Sequence, residues 1–263
     1  MQRLQQIQTI LSPMRLSPFI KRLRGLFLVT PVLFLAGCSQ VSGLGLEKGV
    51  TSVNEQTVPL WQGAWIAGGV VGVITLILIL WPAVFHRAKK DGPEFPKQTQ
   101  YNIPIEVLYT VIPLIIVGVL FYYTVQKQNV ITKTTGSYSH EISINAFQWS
   151  WQFEYPEAGP DAVVTGTTGQ PPTLVVPIGE PVRYTLNAND VVHAFYVPSF
   201  AFQMQALPGV TNHFQFTANK LGEYVGRCAM HCGRLHTYML FKVKVVTLAE
   251  YDAYLETFKG GPA

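Results

Sequence analysis

Cysteine is scarce in this chain, with three among 263 residues, too few for a disulfide framework. Charge is scarce as well. Acidic and basic residues make up 13% of the sequence, about half the share usual in a soluble domain, and that deficit points to a membrane protein. The net charge of +4 is modest, and Lys and Arg are nowhere interleaved with aromatic residues on one stretch, so no nucleic-acid partner is indicated. No C-x-x-C-H stretch occurs, which excludes a covalently attached haem in this chain.

What is present begins with apolar runs. Residues 56–85 contain no charged side chain, and "WIAGGVVGVITLILILWPAVF" within them is long enough to cross a bilayer. A second uncharged run, "VLYTVIPLIIVGVLFYYTVQ", covers 107–126; its Pro113 is tolerable in a membrane helix. Aromatic residues flank both runs, as an interfacial belt would place them. Neither run has a polar face, which argues against buried helices of a soluble protein. Arg87, Lys89, Lys90 and Lys97 lie in the short connection, so the positive-inside rule puts it in the cytoplasm and both flanking segments outside.

Upstream, "KRLRGLFLVTPVLFLAGC" joins a basic run to a short apolar stretch and then to Cys38, the pattern of a signal segment rather than a span. "LAGC" is similar to the bacterial lipobox, which implies a lipidated Cys38; the alternative is a buried free thiol. A start at Met14 gives a more ordinary signal than one at Met1.

Beyond residue 137 the texture changes to short β-rich runs separated by Gly, Pro and Asn. "TLVVPI", "PVRYTLNA", "HAFYVP", "NHFQFTA", "GEYVGRC" and "YMLFKVKVV" read as strands of an all-β sandwich or barrel. In "FQWSWQFEY" the aromatics alternate strictly, but Ile142, Ile144 and Ala146 just before it alternate in the opposite phase, which predicts a β-bulge. "LAEYDAYLETF" spaces its apolar residues as an amphipathic helix.

The other two cysteines stand in "GRCAMHCGRLHTYML", with spacing C-x3-C-x3-H-x2-M from Cys228 through Cys232 and His236 to Met239; His193 lies upstream in "DVVHAF". Two thiolates, two imidazoles and a thioether form a soft donor set that favours copper. A mononuclear blue-copper site needs one thiolate; two can bridge a pair of copper ions, with a histidine capping each and Met and a backbone carbonyl as weak axial donors. A structural zinc site is the alternative on cysteine spacing alone.

With these motifs, the aromatic strand "QWSWQFEY" and "PGVTN", the chain closely resembles subunit II of haem–copper cytochrome c oxidases over about 61–247. The resemblance implies two transmembrane helices followed by a cupredoxin-like β-domain holding a dinuclear copper centre, and a short C-terminal helix. Its ligands would be His193, Cys228, the Met230 carbonyl, Cys232, His236 and Met239. Trp149 matches the tryptophan that receives electrons from cytochrome c, Glu154 and Asp190 match acids that help dock it, and Glu106 matches a carboxylate at a proton-channel entrance. The implied partition is a signal segment at 1–37, an extracytoplasmic segment at 38–60, spans at 61–86 and 104–127 around a cytoplasmic loop at 87–103, the copper domain at 137–247, and a helix with tail at 248–263. Subunits I and III, a soluble or membrane-bound c-type cytochrome and the bilayer of a bacterial cell membrane are the implied partners, and electron transfer is linked to oxygen reduction and proton translocation in the complex.

Two departures matter. Met230 stands where the family usually has a glutamate that helps hold magnesium at the subunit I boundary, which puts that ion in doubt. Gln203, Gln205 and Val210 replace residues that are usually charged. His231 reads as a neighbour of the site rather than a ligand. A membrane-anchored copper carrier, a quinol oxidase subunit (which lacks the cysteines) and the much longer nitrous oxide reductase are the competing readings.

Overall fold

The computed structural model describes residues 45–87, 92, 95, 98–134 and 136–260. The lipobox at Cys38, the two possible starts and the loop lysines 89, 90 and 97 lie outside the described residues.

Among the described residues two long helices come first, α1 (Asn54–Phe85) and α2 (Ile103–Ile131). At about 1.5 Å per residue both are longer than a ~30 Å hydrocarbon layer, and both are long and apolar enough to cross a membrane. The start of α1 lies seven residues before the 61 read from hydropathy, for a tertiary reason. Asn54 is fully buried, and its side-chain amide donates to the carbonyls of Glu47 (2.8 Å) and Ser199 (3.1 Å), while Ser52 N–H donates to Thr217 O at 3.0 Å. The first turns of α1 are thus tied to the β-domain by groups that hydropathy does not register.

The β-domain is a sandwich of two five-stranded sheets. One has the order β3-β2-β1-β5-β8, with β1 His140–Phe147, β2 Ser150–Glu154, β3 Val163–Thr165, β5 Pro181–Ala188 and β8 Asn212–Thr217. The other is β4-β10-β9-β6-β7, with β4 Thr173–Pro177, β6 His193–Val197, β7 Phe202–Ala206, β9 Gly222–Cys228 and β10 Leu240–Val246. The expected architecture, two apolar helices and a β-sandwich closed by a short helix, is the one found. Alternating positions fill the space between the sheets: Ile142, Ile144, Trp151, Phe153, Phe195, Phe214 and Phe241 are all fully buried. Helix α3 (Leu248–Lys259) opens with a capping box between Thr247 and Glu250 and packs Tyr251, Tyr254 and Phe258 against Tyr155.

The bulge expected near Phe147 is a correction. The chain turns back on itself at Gln148–Trp149, so that Phe147 pairs with Ser150 and Ala146 with Trp151. In a two-residue hairpin, directly opposed residues share a face, and Ala146 and Trp151 both point into the core. The phase slip therefore marks a hairpin, whose turn puts Trp149 at one end of the sandwich. Strands β3 and β7 carried no clear signal. The first is three residues long, and the second alternates weakly because Gln203 and Gln205 flank a half-buried Met204.

Candidate metal centre

Strand order brings the donors together. β6 opens with His193 and pairs with β9 through Phe195↔Cys228, placing the histidine beside the end of β9. The loop leaving Cys228 returns to it, because Cys228 N–H donates to Met239 O at 3.0 Å. Inside that loop a single 3₁₀ turn, His236–Tyr238, sets His236 and Met239 three residues apart on one side.

The donor atoms fall into two matched sets. Cys228 Sγ lies 3.8 Å from His193 Nδ1 and 3.2 Å from the Met230 carbonyl oxygen. Cys232 Sγ lies 3.5 Å from His236 Nδ1 and 3.7 Å from Met239 Sδ. The two sulfurs are 3.8 Å apart, and the ligand atoms of His193, Cys228 and Cys232 all lie within 4.8 Å of one another. That sulfur separation is shorter than two metal–thiolate bonds of ~2.3 Å, so both thiolates could bind one ion. Each thiol also has its own imidazole and its own weak donor. This twofold division suits two soft ions that share both sulfurs; a single tetrahedral zinc would leave the thioether and the carbonyl without a role.

Electrostatics separate the two thiols. Burial opposes the Cys228 thiolate, but hydrogen bonds, that to His193 foremost, outweigh it and hold its pKa below the usual thiol value. Burial and then the neighbouring Cys228 charge push the Cys232 thiol up to about 12. Burial also disfavours the charged form of His193, yet its bonds to Cys228 and Asp190 raise its pKa; burial and the nearby His231 and His193 lower that of His236. A metal cation removes the repulsion between two thiolates, so loading must displace the Cys232 proton.

Asp190 is not a free surface charge. Its carboxylate accepts from His193 Nε2 (2.8 Å), Gln148 N–H (2.6 Å) and Val191 N–H (2.6 Å). Burial works against ionisation there, but these bonds outweigh it and lower the pKa. The first of them makes Nε2 the protonated nitrogen of a neutral His193 and leaves Nδ1 facing Cys228. The same carboxylate holds the turn that carries Trp149.

Trp149 is half-buried, and its indole N–H donates to the Cys232 carbonyl at 3.3 Å. Gln148 and Gly233 were not singled out from sequence. Gln148 Nε2 donates to the same carbonyl at 2.7 Å. Gly233 has φ 122°, and a Cβ there would stand 3.1 Å from Gln148 Nε2 and 3.2 Å from Trp149 Nε1, so a side chain would displace the indole. The glycine after Cys232 was the available signal for a positive φ.

The remaining residues sit apart. His231 is exposed, its ring 5.6 Å from that of His236. Glu154 lies on the outer face of β2, where its carboxylate accepts from Asn145 Nδ2 at 2.6 Å. Glu106 is in the first turn of α2, the end away from the β-domain, and accepts from Asn102 N–H at 3.0 Å.

Comparison with known proteins adds the lineage. Residues 169–246 match a family described as cytochrome c oxidase subunit II, periplasmic domain. A probable cytochrome c oxidase subunit 2 of Streptomyces avermitilis is 38% identical, the match covering 81% of this chain and 78% of that one. The cytochrome c oxidase subunit 2 of Mycobacterium tuberculosis strain H37Rv is 35% identical over 84% of this chain and 77% of its own. Among solved structures, the periplasmic domain of subunit II of cytochrome oxidase of Bradyrhizobium japonicum aligns with a TM-score of 0.45 and 29% identity, over 49% of this chain and all of that one.

Proposed function

Because the chain belongs to the cytochrome c oxidase subunit II family, we propose that it receives electrons from a c-type cytochrome and delivers them to the haem-bearing subunit I. Oxygen reduction takes place in that subunit and is linked to proton translocation. The observation that carries this reading is the division of donors into two matched sets around the 3.8 Å sulfur pair. Two copper ions would be held by His193, Cys228, Cys232, His236, Met239 and the Met230 carbonyl. Bound there, a copper pair would supply one-electron transfer.

The chain's own groups do the rest. Cys228, at the end of β9, and Cys232, in the loop beyond it, are 3% and 4% exposed, so water is kept from their sulfurs. This closure also disfavours a carrier that hands its metal on. Trp149 offers a half-exposed indole bonded to the carbonyl of a ligand residue, a short route from the surface into the site. Asp190 fixes the His193 ring. Helices α1 and α2 anchor the domain in the bilayer, with Arg87 on the cytoplasmic side and the β-domain outside. Glu106 would stand near the proton-channel entrance, Glu154 would belong to the donor-facing surface, and Cys38 would carry the lipid. Subunit III completes the proposed complex. Met230 presents a thioether where magnesium requires oxygen, so no magnesium site is proposed.

The test uses the assembled oxidase. Cys232→Ser should abolish cytochrome oxidation while leaving oxygen consumption driven by a small reductant that reduces the haem directly. If cytochrome oxidation stays at the wild-type rate, electrons do not pass through this site.

A further inference from the structure

The end of the sandwich that carries the metal donors is built from five loops: 148–149, 166–172, 189–192, 207–211 and 229–239. They are neighbours in space. Thr168 Oγ1 donates to Trp149 O, Asp190 accepts from Gln148 N–H, Ala188 bridges to Pro208, and Trp149 and Gln148 donate to Cys232 O. Across these five loops the formally charged side chains are Asp190 and Arg234 alone, and their signs cancel. Asp190 is further committed to three internal donors. Arg234 is exposed and follows Gly233, the residue packed under Trp149. Glu154, the further acid assigned above to the donor-facing surface, is outside these five loops: it ends β2 opposite Ser143 and Val163, away from the 148–149 turn, with its carboxylate bonded to Asn145.

Apolar residues occupy part of the space that charges would take. Val191, Val210 and Tyr238 are 37%, 49% and 62% exposed on these same loops. Copper loading does not make the face negative. Two thiolates cancel two of the ions' charges, leaving the centre neutral or positive. A donor ringed with lysines gains its speed from a field of opposite sign, which raises association from about 10⁵–10⁶ to 10⁸–10⁹ M⁻¹s⁻¹ at low salt. This face supplies no such field.

We infer that the donor-docking face around Trp149 is electrically near neutral and partly apolar, and that it fits a c-type cytochrome whose haem-exposed rim carries no ring of basic side chains. The inference rests on the electron-accepting role proposed above. Association then depends on apolar contact around Trp149, not on long-range steering.

The test is stopped-flow oxidation of two probes by the purified oxidase complex containing this chain. One is a lysine-ringed mitochondrial-type cytochrome c; the other is the same protein with its lysines acetylated. The acetylated probe should react at least a third as fast as the native one, at both about 10 mM and about 200 mM salt. A larger advantage for the lysine-ringed probe that shrinks with salt overturns the neutral face. Val210→Glu combined with Gln170→Glu, on two of these loops, should create such an advantage, about tenfold at low salt, with the copper spectrum unchanged. If the paired substitution leaves both probes unaffected, the donor docks elsewhere and the inference falls. Trp149→Phe separates the two levels. Unchanged oxidation of both probes would sink the electron-accepting role of this residue, and the inference with it. A strong loss in Trp149→Phe, together with a salt-sensitive preference for lysines in the unsubstituted enzyme, sinks only the neutral face.

Discussion

The helix pair and the sandwich solve the burial problem in opposite ways. In the sandwich every second residue from Ile142 in β1, Val182 in β5 and Tyr224 in β9 is buried, so the apolar surface is satisfied within the chain. In α1 and α2 the apolar residues stay exposed around the whole circumference: Leu78 is 68% exposed and Phe121 68%. Such helices are complete only with a solvent of hydrocarbon or with other subunits around them. The metal-bearing end of the sandwich belongs with the helices in this respect. Its thiols, imidazoles and thioether point at one another as weak partners, arranged for a group the chain does not supply. The lesson is that one chain carries a self-sufficient core with incomplete ends.

The contrast can be broken most forcefully in the core. Phe241 is fully buried against Trp151, Phe153 and Phe195. Phe241→Ala should cost about 3–5 kcal/mol, read as a lower guanidinium midpoint of the β-signal in circular dichroism. A loss under about 1 kcal/mol would mean that Phe241 does not sit in a close-packed core.

At the metal-bearing end the expected effect is on affinity and depends on pH. The Cys232 thiol, pushed up to about 12, must lose its proton on loading. Protons therefore compete with the metal, and apparent copper affinity should rise with pH, about tenfold per unit and so about 100-fold between pH 6 and pH 8. Competition titration against a chelator measures it; a flat profile would mean that no thiol proton is displaced.

Asp190→Asn sharpens the distinction between a docking charge and a positioning group. Loss of the carboxylate that orients His193 should weaken copper binding by about 10–100-fold and shift the spin-resonance hyperfine pattern. If only the KM for cytochrome rises, with copper content and spectrum unchanged, Asp190 acts through docking.

The smallest effect belongs to the helices. Leu78→Ala should change the stability of the detergent-solubilised chain by less than about 0.5 kcal/mol, because the chain itself does not bury that side chain. A core-sized loss would place Leu78 in an interface within this chain.

Much of this was legible in the sequence, for identifiable reasons. The helices announce themselves because the bilayer demands a long charge-free run, and the donor loop does so because four of its ligand side chains fall within twelve residues. What escaped was set by contacts between distant segments. The tie made by Asn54 reaches Ser199, 145 residues away, and Gln148 reaches Cys232 across 84. The Gln148–Trp149 hairpin was misread as a bulge because both produce the same one-residue phase slip. Only pairing of Ala146 with Trp151 separates them.

The central claim is that two matched donor sets hold a pair of ions. Its most direct test is the copper content and electron spin resonance of the full-length chain, loaded with copper and freed of excess metal. Two coppers per chain, with one unpaired spin delocalised over both nuclei, is the result this structure predicts. One copper per chain with a spin confined to a single nucleus would contradict it.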